Sequence, residues 1–127
     1  MGERFGTLLN CMDGRTQREI SDYLLTSMGV RYLDTITTAG MVRHLAGEPT
    51  EQTAIILSDL EVSTSKHGSR KIAVAAHHDC AGNPLPDDVQ ESQIAAAEAR
   101  LQKLHPDAGI HGLWVGENWT VKRIGVG

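Results

Sequence analysis

Two short apolar runs each break off at a polar cluster carrying a cysteine, and this pairing restricts the fold more than any other feature of the chain. Leu8-Leu9 leads into Cys11-Met12-Asp13-Gly14-Arg15, and Ile72-Ala73-Val74-Ala75-Ala76 leads into His77-His78-Asp79-Cys80. Near-continuous apolar runs of this length mark strands buried on both faces, as in a parallel sheet covered by helices. Loops that carry ligands gather at the carboxyl ends of such strands. The two clusters are therefore expected to meet at one end of one sheet.

The rest of the pattern supports that sheet. A first strand over about residues 6–12 is followed by Thr16-Gln17-Arg18-Glu19, which matches the capping box that opens a helix. Ile20, Tyr23, Leu24 and Met28 keep helical spacing up to Gly29, and residues 32–37 have the β-branched and aromatic content of a strand. A second helix is expected from residue 50 or 51 to 67, stopped by Gly68, before a strand over 71–76. Past Pro84 and Pro86, Asp87 can cap a helix that places Ile94, Ala97, Leu101 and Leu104 on one face and ends at Pro106. The tail reads as a strand over 110–115 and a hairpin partner over 120–124, with Trp114 and Trp119 as packing anchors. Strands alternating with helices define an α/β fold, a mostly parallel sheet flanked by helices and joined by right-handed crossovers.

A chain of 127 residues suits one domain over 1–127, able to bury about two thirds of its unfolded surface without disulfide staples. The net charge of −4, without a basic stripe or a long charge run, argues against nucleic acid as a partner. No apolar stretch approaches a membrane span, and the first residues lack the apolar core of a signal peptide, so the chain reads as cytoplasmic with no membrane partner. In that setting two cysteines beside His and Asp point to metal binding or reactivity rather than a disulfide.

Cys11, Cys80 and His77 would supply two thiolates and an imidazole, the donors Zn²⁺ prefers, with a fourth tetrahedral position left open. Along an extended segment Cys11, Asp13 and Arg15 share one side while Met12 turns into the core, and the same alternation sends His78 away from His77. Arg15 can hold Asp13 as a bidentate pair, which keeps the carboxylate ionised; Asp13 released from Arg15 can become the fourth ligand in a closed state. Asp79 reads as a loop acceptor, Gly14 as a turn, and His44, His67, His105 and His111 as surface or packing residues. Two thiolates weaken zinc as a Lewis acid, so activity should favour alkaline pH, with zinc-bound hydroxide attacking a small electrophilic carbon such as that of CO₂ or its sulfur analogues.

These residues resemble the β-class carbonic anhydrases, whose zinc motif is Cys-x-Asp-x-Arg followed by His-x-x-Cys. The likeness extends to Ala39-Gly40 after the second strand, to Val89-Gln90-Glu91-Ser92 at a helix start and to His111-Gly112-Leu113-Trp114 in the last strand of the family. The resemblance implies zinc on Cys11, His77 and Cys80, a gatekeeping dyad of Asp13 and Arg15, and a lyase converting CO₂ reversibly to bicarbonate and a proton. It also implies a homodimer or a higher even-numbered assembly. The first strand is expected almost at the first residue, so no counterpart of the family's amino-terminal helical arm or of the nearby substrate-binding glutamine is expected in this sequence. Ala81 stands in place of a usual Gly, and Thr37-Thr38 in place of Arg-Asn. Three alternatives use the same residues: a hydrolase of carbonyl sulfide or carbon disulfide, a catalytically silent zinc protein, and a redox protein joining Cys11 to Cys80.

Overall fold

Alternation along the two inner strands builds the molecule, because Leu8 and Ala73 face one side of the sheet while Leu9 and Val74 face the other. The computed structural model describes residues 4–124, so residues 1–3 and 125–127 of the expected 1–127 domain lie outside the described residues. Strands β1 (Phe5–Asn10), β2 (Tyr32–Thr37), β3 (Lys71–His77) and β4 (Gly109–Val115) run parallel, and β5 (Val121–Ile124) is antiparallel to β4. Their order across the sheet is β2-β1-β3-β4-β5. This is the mostly parallel α/β sheet expected from the sequence.

Both faces are covered. Helix α1 (Gln17–Ser27) packs Ile20 and Leu24 against Leu8, Ala73, Ala75, Leu113 and Val115. Helices α2 (Met41–Ala46), α3 (Glu51–Ser65) and α4 (Asp87–Leu104) cover the other face, where Leu45, Ile56, Leu60, Ile94 and Leu101 meet Leu9, Ile72, Val74 and Trp114. Fully buried aliphatic side chains of this kind each contribute about 1.5–3 kcal/mol relative to exposure. Edge strand β2 is half exposed along its length. No described helix is long and apolar enough to cross a membrane.

Several local expectations are corrected. Strand β1 ends at Asn10, two residues short of the expected limit, and the chain then leaves the sheet; Met12 is 64% exposed instead of buried, because strand alternation stops where the ladder stops. The Thr16 hydroxyl does not cap α1. It donates to the Asp13 carbonyl and accepts from the Asn10 amide, so the matched capping box is spent on shaping the first cluster. A capping box does form at α3, where the Thr50 hydroxyl accepts from the Thr53 amide and Thr53 takes the place of the usual Glu. Asp87 is the first residue of α4 and its carboxylate accepts from His78 rather than from the helix. Helix α2 was not anticipated: six residues opened by a left-handed Gly40 are too short to show a helical period.

Candidate metal centre

Strands β1 and β3 lie side by side in parallel with Leu9 opposite Val74, so Cys11 and His77 emerge from the same end of the sheet. Beyond His77 the chain turns sharply at Asp79, whose φ of 57° lies in the left-handed region, and this returns Cys80 towards the strand end. The two sulfurs are 3.7 Å apart. The donor atoms of Cys11, His77 and Cys80 all lie within 4.8 Å of one another, and all three residues are buried.

The imidazole is set for coordination. His77 Nδ1 donates to the His78 carbonyl at 2.7 Å, which leaves the lone pair on Nε2. Nε2 is buried and has no hydrogen-bond partner among the described residues, an arrangement that is costly unless something else meets that lone pair. Two sulfurs and this orphaned nitrogen fit Zn²⁺, and the backbone carbonyl on Nδ1 is the kind of outer partner that fixes a ligating histidine.

Proton placement in the thiol pair follows from contact. Cys80 donates to Cys11, and, although burial opposes it, His77 and the amides of Gly40 and Asp13 add to this and hold the Cys11 thiol well below its ordinary range. Cys80 is pushed up by that same bond and by burial, so the two sulfurs share one proton. Burial works against a charged His77, but the Cys11 sulfur, the His78 carbonyl and the Asp13 carboxylate outweigh it and raise its pKa. A metal ion held by these three atoms would have to displace the Cys80 proton and whatever fraction His77 carries. Calorimetry in buffers of different ionisation enthalpy should therefore find about one to two protons released per zinc near pH 7, with affinity rising as pH rises. Uptake without proton release would contradict this placement.

Asp13 and Arg15 form the expected pair: Arg15 Nη2 donates to Asp13 Oδ2 at 2.7 Å, Nε to Oδ1 at 3.1 Å, and the Arg15 amide to Oδ1 at 2.8 Å. These bonds hold the Asp13 carboxyl down to about 2, although partial burial opposes them. Asp13 Oδ2 lies 3.9 Å from His77 Nε2, on the side of the orphaned lone pair. Arg15 also reaches Asp79, at 3.3 Å to the carboxylate and 3.1 Å to the carbonyl, which makes Asp79 an acceptor as expected. His78 lies outside the donor cluster, bonded to Asp87.

Tertiary contacts add residues that motif spacing did not reveal. The Gly40 amide donates to Cys11 Sγ at 3.4 Å, and Gln17 Nε2 donates to the carbonyls of Cys11 and Asp13, fixing the first loop. Trp119 lies over the site, with its ring centroid 6.0 Å from that of His77. Gly40 and Gly82 press backbone on backbone beneath the sulfurs. A methyl group at Gly82 would stand 2.6 Å from Gly40 N and 2.7 Å from the Ala39 carbonyl carbon. Gly82→Ala should therefore cost about 1–3 kcal/mol in denaturant unfolding and weaken zinc retention by displacing the Gly40 amide; unchanged stability would mean that the loops yield freely. Of the remaining histidines, His44 bonds Thr50 and His67 pairs with Asp34 while stacking on Phe5.

Comparison with known proteins agrees with this architecture. Residues 1–125 match the family described as "Putative carbonic anhydrase". No curated protein matches the chain. Among solved structures, the carbonic anhydrase from Glaciozyma antarctica aligns with a TM-score of 0.68 at 19% identity, covering 98% of this chain and 83% of that one. A tetrameric β-carbonic anhydrase from Sordaria macrospora aligns at 0.65 with 11% identity, covering 99% and 83%. The Streptococcus mutans carbonic anhydrase aligns at 0.63 with 17% identity, covering 98% and 86%. At these identities the likeness establishes a shared β-carbonic anhydrase fold. The match over residues 1–125, on a chain whose Cys11, His77 and Cys80 converge at the end of that sheet, shows that the protein belongs to this carbonic anhydrase family.

Proposed function

We propose that the chain is a zinc lyase that reversibly hydrates CO₂ to bicarbonate. The observation that carries this reading is the convergence of Cys11 Sγ, Cys80 Sγ and an unpartnered His77 Nε2 beside an ionised Asp13. Zinc held by those three atoms would supply Lewis-acid activation of water for attack on a small electrophilic carbon. Asp13 stays ionised across the neutral range, so it can only accept a hydrogen bond, and it orients whatever donor stands in front of it. Arg15 supplies that ionisation and blocks rotation of the carboxylate through its two-pronged grip. Released from Arg15, Asp13 is close enough to His77 Nε2 to serve as the fourth ligand of a closed state.

We place the enzyme in an even-numbered assembly of identical chains. The half-exposed edge strand β2 and the tetrameric state named for the Sordaria macrospora structures support this. A reducing compartment such as the cytoplasm suits two thiols arranged as metal donors.

Stopped-flow CO₂ hydration by zinc-loaded protein between pH 7 and 9 tests the proposal. Hydration above buffer, rising towards alkaline pH, is expected because two thiolates offset the charge of the metal. Protein with one zinc per chain and no hydration above buffer rejects the CO₂ reading, and carbonyl sulfide is then the substrate to assay.

A further inference from the structure

The Arg15 guanidinium is 47% exposed, and its second acceptor, the Asp79 carboxylate, is 72% exposed. An ion pair as open to solvent as Arg15–Asp79 holds a long side chain weakly. A third contact adds to these: the Arg15 guanidinium carbon lies 4.3 Å from the centroid of the Trp119 ring, with the cation over the aromatic face.

Trp119 is built to stay there. It closes the turn between β4 and β5, where its amide donates to the Gly116 carbonyl at 2.9 Å and its φ is 60°. A bulky side chain rarely adopts this left-handed conformation, which here carries the indole back over the sheet end. The ring also packs against the core cluster that contains Leu8, Ala75 and Val115, and it lies near both His77 and His78. The indole is thus braced from below while its face is offered to Arg15.

We propose that Trp119 is a positioning residue that keeps the site open: by clamping Arg15 it holds Asp13 away from the fourth metal position. This inference rests on the zinc reading above. Without the aromatic face, the half-exposed Arg15 guanidinium keeps only the partly buried Asp13 and the exposed Asp79, and once it swings out Asp13 can compete for the metal.

The test uses full-length protein loaded with Co²⁺ and titrated with azide, followed by visible absorption. Azide needs the fourth position, so its binding reads openness without any turnover. Trp119→Leu keeps an apolar brace but removes the aromatic face, and it should weaken azide binding by about tenfold or more, while Trp119→Phe stays close to wild type. Equal azide affinity in the Leu variant and wild type overturns the inference. In wild type without metal, NMR should show the Arg15 side-chain protons shifted upfield by the indole ring current. No such shift overturns the inference, even where the Leu variant fails to fold. Failure of the proposed function is read separately, as wild-type protein that takes up no cobalt or zinc, or that hydrates no CO₂.

Discussion

Cys80→Ser is expected to abolish stoichiometric zinc binding and all CO₂ hydration above buffer. A serine hydroxyl does not ionise as a thiol does, and the two donors that remain, Cys11 and His77, leave the metal half-coordinated. Zinc content after dialysis against a mild chelator should fall to roughly a tenth of wild type or less. Thermal unfolding gives an independent reading. Ligand bound only by the native state stabilises by about 2.7 kcal/mol at a free concentration of roughly 100 times its dissociation constant. For a domain of this size that corresponds to a rise of about 10 °C in Tm on adding zinc, present in wild type and absent in the variant. A Cys80→Ser chain that keeps one zinc and its Tm response would remove Cys80 from the centre.

Asp13→Asn should leave zinc content intact and lower CO₂ hydration by about a hundredfold. The change is nearly isosteric, yet it replaces an acceptor-only carboxylate with a group that also donates, and it takes from Arg15 its shortest partner. The pH profile separates this role from proton transfer. Because Arg15 depresses the Asp13 pKa to about 2, the carboxylate loses its charge only as pH falls through that value. No inflection in the wild-type profile between pH 6 and 9 should therefore vanish in the variant; the rate should drop uniformly. A variant with wild-type hydration, or one that loses a pH-dependent limb, would contradict the orienting role.

Strands and clusters were legible in the sequence for a simple reason. Where a segment is buried on both faces, as β1 and β3 are, an apolar run followed by polar residues has one good solution, with the polar residues at the sheet end. Helix α4 was legible because Ile94, Ala97 and Leu101 repeat over several turns and are all buried. Helix α2 was not, since its placement depends on a left-handed Gly40 held by contact with the Gly82 loop, more than forty residues away. Thr16 illustrates the same limit. Its spacing to Glu19 matched a cap, but the hydroxyl had a stronger local demand from Asn10 and Asp13.

By itself the sequence determined which atoms are available for chemistry and at which end of the sheet they emerge, because side-chain type and strand period are local properties. Only the tertiary structure decided that Cys11, His77 and Cys80 approach within 4.8 Å, that His77 presents Nε2 rather than Nδ1, and that an indole from the last turn covers Arg15. Those relations come from loops crossing between strands far apart in the chain, where register and backbone conformation, not residue spacing, set the distances.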